Sequence, residues 1–287
     1  MLGDLHIHMI LDGVYYRDAI DAHRRKPDDA LIRQRLADYR DRGVTFLRDG
    51  GDAKDVSYRA RTLAREYGID YRTPIFPIHK QGHYGAFIGR AYSDFDGYRR
   101  LLDELRRGRA DFVKLMISGL IDFSRPNTLT EPSLDAEEIF ALIDEAHDRG
   151  YAVMVHANGD EAVTAALDAG VESVEHGAFL SETTLLRMAA TRTLWVPTLS
   201  TIGNPIGAGR YPDAVLRTLL KQQQEKVAFV AQNGGRIGLG SDAGAFRVPH
   251  GQAIDDEYGY LSAALGAQTD ELLTAAERYV KMSFRRG

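Results

Sequence analysis

Four histidines, one aspartate and one lysine stand where they could act on one point. His6 and His8 are two apart in Asp4-Leu5-His6-Ile7-His8. In an extended strand, residues two apart share a face, so both imidazoles can reach a common ligand. Val155-His156-Ala157-Asn158, Val174-Glu175-His176-Gly177 and Gly240-Ser241-Asp242-Ala243-Gly244 each set a donor side chain at the end of an apolar run. Imidazole and carboxylate suit divalent zinc, manganese, iron or cobalt. Lys114 lies inside Phe112-Val113-Lys114-Leu115-Met116-Ile117. Burying a lone ammonium there is costly, so it must pair, snorkel to a strand end or serve a function. An ammonium has no lone pair to offer a cation. A neutral amine that captured carbon dioxide would become a carbamate, an anionic ligand able to bridge two cations.

The elements that must carry these residues alternate along the chain. Short β-rich runs fall at 5–9, 44–48, 71–78, 112–117, 152–156, 173–176, 194–199 and 236–240. Between them lie helical patterns at 28–42, 56–67, 94–107, 134–149, 161–169, 182–190, 214–232 and 272–282. The fourth of these opens on Ser133, carries Glu137 and Glu138 in its first turn and ends at Gly150; this is a cap, acids favoured by the helix dipole, and a terminating glycine. Several strands are continuous apolar runs, which implies burial on both faces in a parallel sheet covered by helices. About eight strand–helix repeats predict an α/β chain, a (β/α)8 TIM-type barrel, whose reactive groups gather at the C-terminal ends of the strands. A doubly wound open sheet is second, because no glycine-rich phosphate loop follows an early strand. One domain, 1–287, is expected.

Taken together, DLHIH, VKLM, MVHANG, VEHGAF and GLGSDAG resemble the amidohydrolase superfamily in its two-metal form, in the expected order from His6 to Asp242. The stretches Gly43 to Asp49 and Asp242-Ala243-Gly244 with Pro249-His250-Gly251 resemble a branch of it, that of metal-dependent prolidases and imidazolonepropionase relatives. The resemblance implies His6 and His8 on one metal, His156 and His176 on the other, Lys114 as a carboxylated bridge, and Asp242 on a metal as general acid and base. It implies two divalent metal ions, zinc first, and hydrolysis of an amide-type C–N bond in a dipeptide, N-acyl amino acid or cyclic amide by metal-bound hydroxide. A lactonase with the same apparatus, or a non-catalytic metal-binding barrel, are the alternatives. For substrate binding the expected residues are His83, which resembles a loop histidine of the relatives, its neighbour Tyr84, Arg125 as partner of a substrate carboxylate, and His250. The loop departs from the relatives' pattern at Gln81 and Tyr84. His23 and His147, on helical patterns, read as structural.

Composition narrows the rest. The chain has 287 residues, 44% hydrophobic and 27% charged, with a formal charge of -5 and no cysteine. That excludes disulfide scaffolds, iron–sulfur clusters and thiol nucleophiles, and leaves no basic field for nucleic acid. No apolar run nears the ~18 residues of a membrane span, and the N-terminus lacks a signal peptide's basic region. A cytoplasmic enzyme of a small molecule is expected, with a homo-oligomer compatible. Only five residues precede His6, so the flanking β-sandwich usual in such relatives is not expected.

Overall fold

The computed structural model describes residues 2–125 and 127–285. Met1, Arg286 and Gly287, the ends of the domain expected over 1–287, lie outside the described residues, as does Pro126. The strands are β1 (Asp4–Ile7), β2 (Phe46–Asp49), β3 (Asp70–Arg72), β4 (Ile78–Lys80), β5 (Arg90–Tyr92), β6 (Val113–Met116), β7 (Val153–Ala157), β8 (Ser173–His176), β9 (Leu194–Val196) and β10 (Arg236–Ile237). They form a sheet β1-β2-β3 and a sheet β10-β9-β8-β7-β6-β4-β5. Pairing is parallel throughout both sheets. Every residue of β1, β2, β6 and β7 is buried; β6 and β7 are largely apolar runs covered on both faces, whereas β1 and β2 bury Asp4, His6, Arg48 and Asp49.

Backbone bonds also tie the two sheets together. The segment after β10 runs beside β1, with Leu5 N donating to Leu239 O (2.9 Å), Asp242 N to His6 O (2.7 Å) and His8 N to Ala243 O (2.8 Å). On the other side, Asp111 N donates to Thr73 O (3.0 Å). The result is the barrel-like α/β architecture expected from the strand–helix alternation, and it gathers the strands' C-terminal ends.

The expected strand 71–78 is divided into β3 and β4. Pro74 and Pro77 have no N–H for a ladder, and Ile75 between them is left-handed (φ 69°). Its carbonyl is held by Asp52 N (2.8 Å) and Ser57 Oγ (2.9 Å). The helix expected from Leu134 begins at Ala136, because Leu134 N still donates to Ile117 O (2.9 Å) at the end of β6. Asp28, Asp94 and Ser181 accept first-turn amides of the helices Asp29–Asp41, Phe95–Gly108 and Glu182–Thr191. These caps stop the preceding loops short.

The sequence pattern did not anticipate β5, the short helices Tyr16–Ala22 and Ser200–Gly203, or the long helix Gln252–Leu265. The buried face of that helix, Ala253, Ile254, Glu257, Leu261 and Leu265, has helical spacing but carries an acid at its centre. Glu257 accepts from Leu199 N (3.0 Å), Ser200 N (2.6 Å) and Ser200 Oγ (2.8 Å), and so fixes the loop that leaves β9.

The C-terminal helix Thr269–Ser283 closes the end opposite the donor residues. Ala276, Val280 and Phe284 pack with Leu5, Phe46, Phe112 and Leu194, all at or near the starts of strands. A second, larger apolar shell lies between strands and helices. Among the described residues no helix is long and apolar enough to cross a membrane.

Candidate functional site

His6 and His8 project from the end of β1 into a cavity of about 440 Å³ that Lys114, His156, His176 and Asp242 also line. His6 Nδ1 lies 2.8 Å from Glu175 Oε2. A carboxylate accepts only, so the proton sits on Nδ1 and Nε2 presents its lone pair. That Nε2 is 3.4 Å from His8 Nε2 and 3.7 Å from Asp242 Oδ1, and His8 Nε2 is 3.5 Å from the same oxygen. Asp242 Oδ1 is buried and has no hydrogen-bond partner. Burial keeps the rings neutral: it pushes His8 down to about 3 and His6 well below the usual imidazole range, with the nearby Lys114 charge adding to it. Burial also pushes the Asp242 carboxyl up to about 8. Donor atoms held about 2.0–2.2 Å from one tetrahedral cation lie about 3.3–3.6 Å apart. The spacing of these three fits a divalent cation.

Backbone conformation aims the donors. His176 and Asp242 both have positive φ (69° and 58°), which costs energy in side-chain-bearing residues unless the surroundings hold it. The His176 carbonyl accepts from Trp195 Nε1 (3.0 Å) and Gln223 Nε2 (3.2 Å). Asp242 is held through its neighbour: Asp4 accepts from Ser241 N (2.9 Å) and Ser241 Oγ (2.6 Å). Gly50, just after β2, gives the His8 ring its room, since a Cβ there would sit 2.4 Å from His8 Cε1.

Beneath His6 lies a fully buried ion pair. Arg48 NH2 donates to Glu175 Oε1 (2.9 Å) and Oε2 (3.1 Å), and Arg48 Nε to Leu5 O (2.6 Å). Ser173 Oγ also donates to Glu175. Burial pulls the Arg48 guanidinium below its usual range, opposed by Glu175. Neither residue was singled out from sequence, although both stand inside the motifs read there. Replacing Arg48 by Met strands a buried carboxylate, so a loss of about 3–5 kcal/mol in unfolding free energy is expected, measured by urea denaturation.

Lys114 comes from β6, fully buried, and its Nζ has no hydrogen-bond partner. Burial pushes its amine down to about 8, which raises the share of the neutral form, the form able to take up carbon dioxide. His156 and His176 complete a chain of rings, with centroids 4.5 Å apart, and His176 lies 5.2 Å from His6. His176 Nδ1 is 2.8 Å from Thr198 Oγ1, and His156 Nε2 is 3.1 Å from Gly119 O. His156 therefore carries its proton on Nε2 and keeps Nδ1 free. The donor atoms of this second pair are less tightly gathered: among the described residues, only His6, His8 and Asp242 bring three ligand atoms within 4.8 Å of one another.

The four residues expected to bind substrate separate. Tyr84 lines the cavity, its ring 4.9 Å from that of His156. His83 instead faces Glu131 (3.5 Å). The Arg125 side chain is 75% exposed, 3.8 Å from Asp122. His250 is buried between Tyr39 Oη (3.2 Å) and Leu11 O (2.9 Å), with both ring nitrogens engaged. None of these three lines the cavity. His23 Nδ1 accepts from Asp28 N (2.9 Å) and His147 Nε2 meets Glu172 (3.2 Å); neither residue lines the cavity. One lining cation was missed, Arg210. It follows Gly207 and Gly209 in the loop after β9. A glycine-rich loop leaving a strand's C-terminal end was the available signal.

Residues 42–283 match the amidohydrolase family; Lys114, His156, His176 and Asp242 fall inside that span, and His6 and His8 precede it. An uncharacterized protein of Mycobacterium tuberculosis is 35% identical over 251 residues, 83% of this chain and 63% of that protein. The ochratoxinase of Aspergillus niger is 28% identical over 206 residues, 70% of this chain and 41% of the enzyme. The chain thus spans less than two thirds of the length of these relatives. The crystal structure of A. niger ochratoxinase superposes with a TM-score of 0.77 at 19% identity, covering 99% of this chain and 71% of that one. A Xaa-Pro dipeptidase with bound methionine gives 0.75 at 21%, covering 100% and 77%. At such identities the two structures speak for the fold.

Proposed function

The chain belongs to the amidohydrolase family, and on that premise we propose that it is a metal-dependent hydrolase of an amide-type C–N bond in a small molecule. The observation that carries this reading is the convergence of His6 Nε2, His8 Nε2 and Asp242 Oδ1 at 3.4–3.7 Å, beside a Lys114 Nζ that is buried without a partner. His6, His8 and Asp242 would hold one cation, zinc first. His156 and His176 would hold a second, and Lys114 would bridge the two as a carbamate. Forming that carbamate makes one N–C bond to carbon dioxide and releases one proton from the amine. Bound divalent cations supply a water of lowered pKa and an electrophile for the scissile carbonyl.

The chain's own residues do the rest. Glu175 fixes the tautomer of His6, and Arg48 fixes Glu175. Asp242 takes a proton at its carboxylate from the attacking water and returns it to the leaving nitrogen. The apolar walls of the cavity exclude bulk water and strengthen these interactions.

The test combines metal content with turnover. Elemental analysis of the purified protein should find divalent metal, and a panel of dipeptides, N-acyl amino acids and cyclic amides should contain a substrate, with activity lost to a chelator and restored by metal. Full metal occupancy with hydrolysis of lactones and no amide would reassign the site to ester chemistry. Full occupancy with no turnover of either would overturn the hydrolase reading.

A further inference from the structure

Thr198, just after β9, is held in a conformation that its side chain disfavours. It is fully buried with φ 50°, and a β-branched residue at positive φ persists only where its surroundings hold it there. Its carbonyl accepts from Thr201 N (3.1 Å) and Thr201 Oγ1 (2.8 Å). Leu199 and Ser200, which follow it, open the short helix Ser200–Gly203. Amides at the start of a helix have no acceptor within it, and here no local side chain caps them. Glu257 accepts from both, Leu199 N (3.0 Å) and Ser200 N (2.6 Å), and from Ser200 Oγ (2.8 Å). It is a cap supplied from 57 residues along the chain. Glu257 is itself fully buried, and its three partners are neutral. A carboxylate buried among neutral partners is a costly way to close a loop.

The residue held this way reaches the site. Thr198 Oγ1 lies 2.8 Å from His176 Nδ1, and among the described residues it is the hydrogen-bond partner of that ring. The His176 backbone is clamped separately, through its carbonyl, by Trp195 and Gln223. That clamp leaves the ring free to turn about its Cβ–Cγ bond, and the Thr198 contact removes the freedom. A hydroxyl can donate or accept. The proposed second cation needs a bare Nε2, so on that reading Nδ1 carries the proton and Thr198 accepts it. We infer that Glu257 is a positioning residue for His176: by holding the two amides after Thr198 it keeps that residue in its left-handed turn, where the hydroxyl fixes the direction and tautomer of the ring. The inference rests on the proposed pair of cations and says what keeps one ligand of the second in place.

Its test reads the ring and the metal separately. In metal-free protein carrying isotopically labelled histidine, long-range proton–nitrogen spectra report the tautomer of each ring, and the His176 signals are those missing from His176→Asn. The parent should carry its proton on Nδ1. Thr198→Val keeps the shape, removes the hydroxyl and should give a mixture of tautomers. Glu257→Gln, which sets an N–H against one of the two amides, should do the same in smaller measure, and Thr198→Ser should keep the parent's spectrum. Zinc is then titrated against a competing chelator with bicarbonate present. In Thr198→Val one of two zinc equivalents should lose about ten-fold or more in affinity, the range for an outer partner of a ligating histidine, and the other should be unchanged. The double variant should lose no more than Thr198→Val alone, because residues acting through one contact are not additive. Where Glu257→Gln does not fold, Ser200→Ala removes one of the three bonds and takes its place. Additive losses, or a Glu257→Gln protein with a lower melting temperature but the parent's tautomer and zinc affinity, would overturn the inference and leave Glu257 a structural cap. A parent ring protonated on Nε2 would overturn it as well. If the parent takes up one zinc and the tautomers shift as described, the second-cation reading fails and the positioning role stands. If it takes up two and neither responds to Thr198→Val, the positioning role fails and the two-cation reading stands.

Discussion

Replacing Asp242 by Asn should lower kcat by roughly 10²–10⁴-fold, the range removed with a general acid–base group, with a far smaller change in KM. Asn has the same shape and keeps an oxygen that can face a cation, but it cannot accept a proton at that oxygen near neutral pH. The Asp242 backbone is held by its amide bond to His6 O (2.7 Å) and by Ala245 N on its carbonyl (3.0 Å), and the substitution leaves both intact. The melting temperature of the metal-free protein should therefore stay close to that of the parent. Steady-state kinetics, metal content and thermal unfolding measured together decide the outcome. A rise in KM with unchanged kcat would make Asp242 a binding group. A matching loss of metal would make it a ligand first.

The second large effect is at Lys114. Lys114→Ala should abolish turnover and lower divalent metal content, and short-chain carboxylates such as acetate or propionate should restore part of both, because they return an anionic oxygen to the space the side chain leaves. The stability of the metal-free protein separates this role from a structural one. Nζ has no hydrogen-bond partner, so Lys114→Met, which keeps the volume and removes the desolvated amine, should leave the apo melting temperature unchanged or raise it. A marked fall in apo stability, with metal content and turnover kept, would show that the lysine serves packing alone.

Much of the fold was legible because its signals are local. The helix Asp29–Asp41 begins after an aspartate that caps it, and β6 and β7 are continuous apolar runs that the structure buries on both faces. The split between β3 and β4 was legible in principle, since Pro74 and Pro77 cannot donate to a ladder. The helix Gln252–Leu265 was harder to see, because Glu257 interrupts its apolar face. That residue is tolerated only because two amides and a hydroxyl from a loop more than fifty residues away in sequence meet it.

At the site the division is sharper. The spacing of His6 and His8 and the placing of His156, His176 and Asp242 after apolar runs are properties of single strands. A strand's period of two sets which side chains share a face wherever the strand packs. The order of those strands brings their ends together, so the six polar residues were readable in advance as one group lining one space.

Sequence alone therefore determined which donor types exist, on which strands, and at which end of them. Tertiary structure alone decided what surrounds them. Arg210 stands beside Phe246, and Tyr16 beside Phe87, because loops from distant strands converge over the strand ends, and no periodicity links residues so far apart along the chain. For the same reason His250 and Arg125 were both expected at the substrate, yet one is locked between a tyrosine and a carbonyl while the other faces water. A side chain's direction in a loop depends on partners from elsewhere in the fold. The tautomer of His6 was likewise decided at a distance, by Glu175 two strand ends away and the buried Arg48 that holds it, because a proton's location on imidazole follows the nearest acceptor.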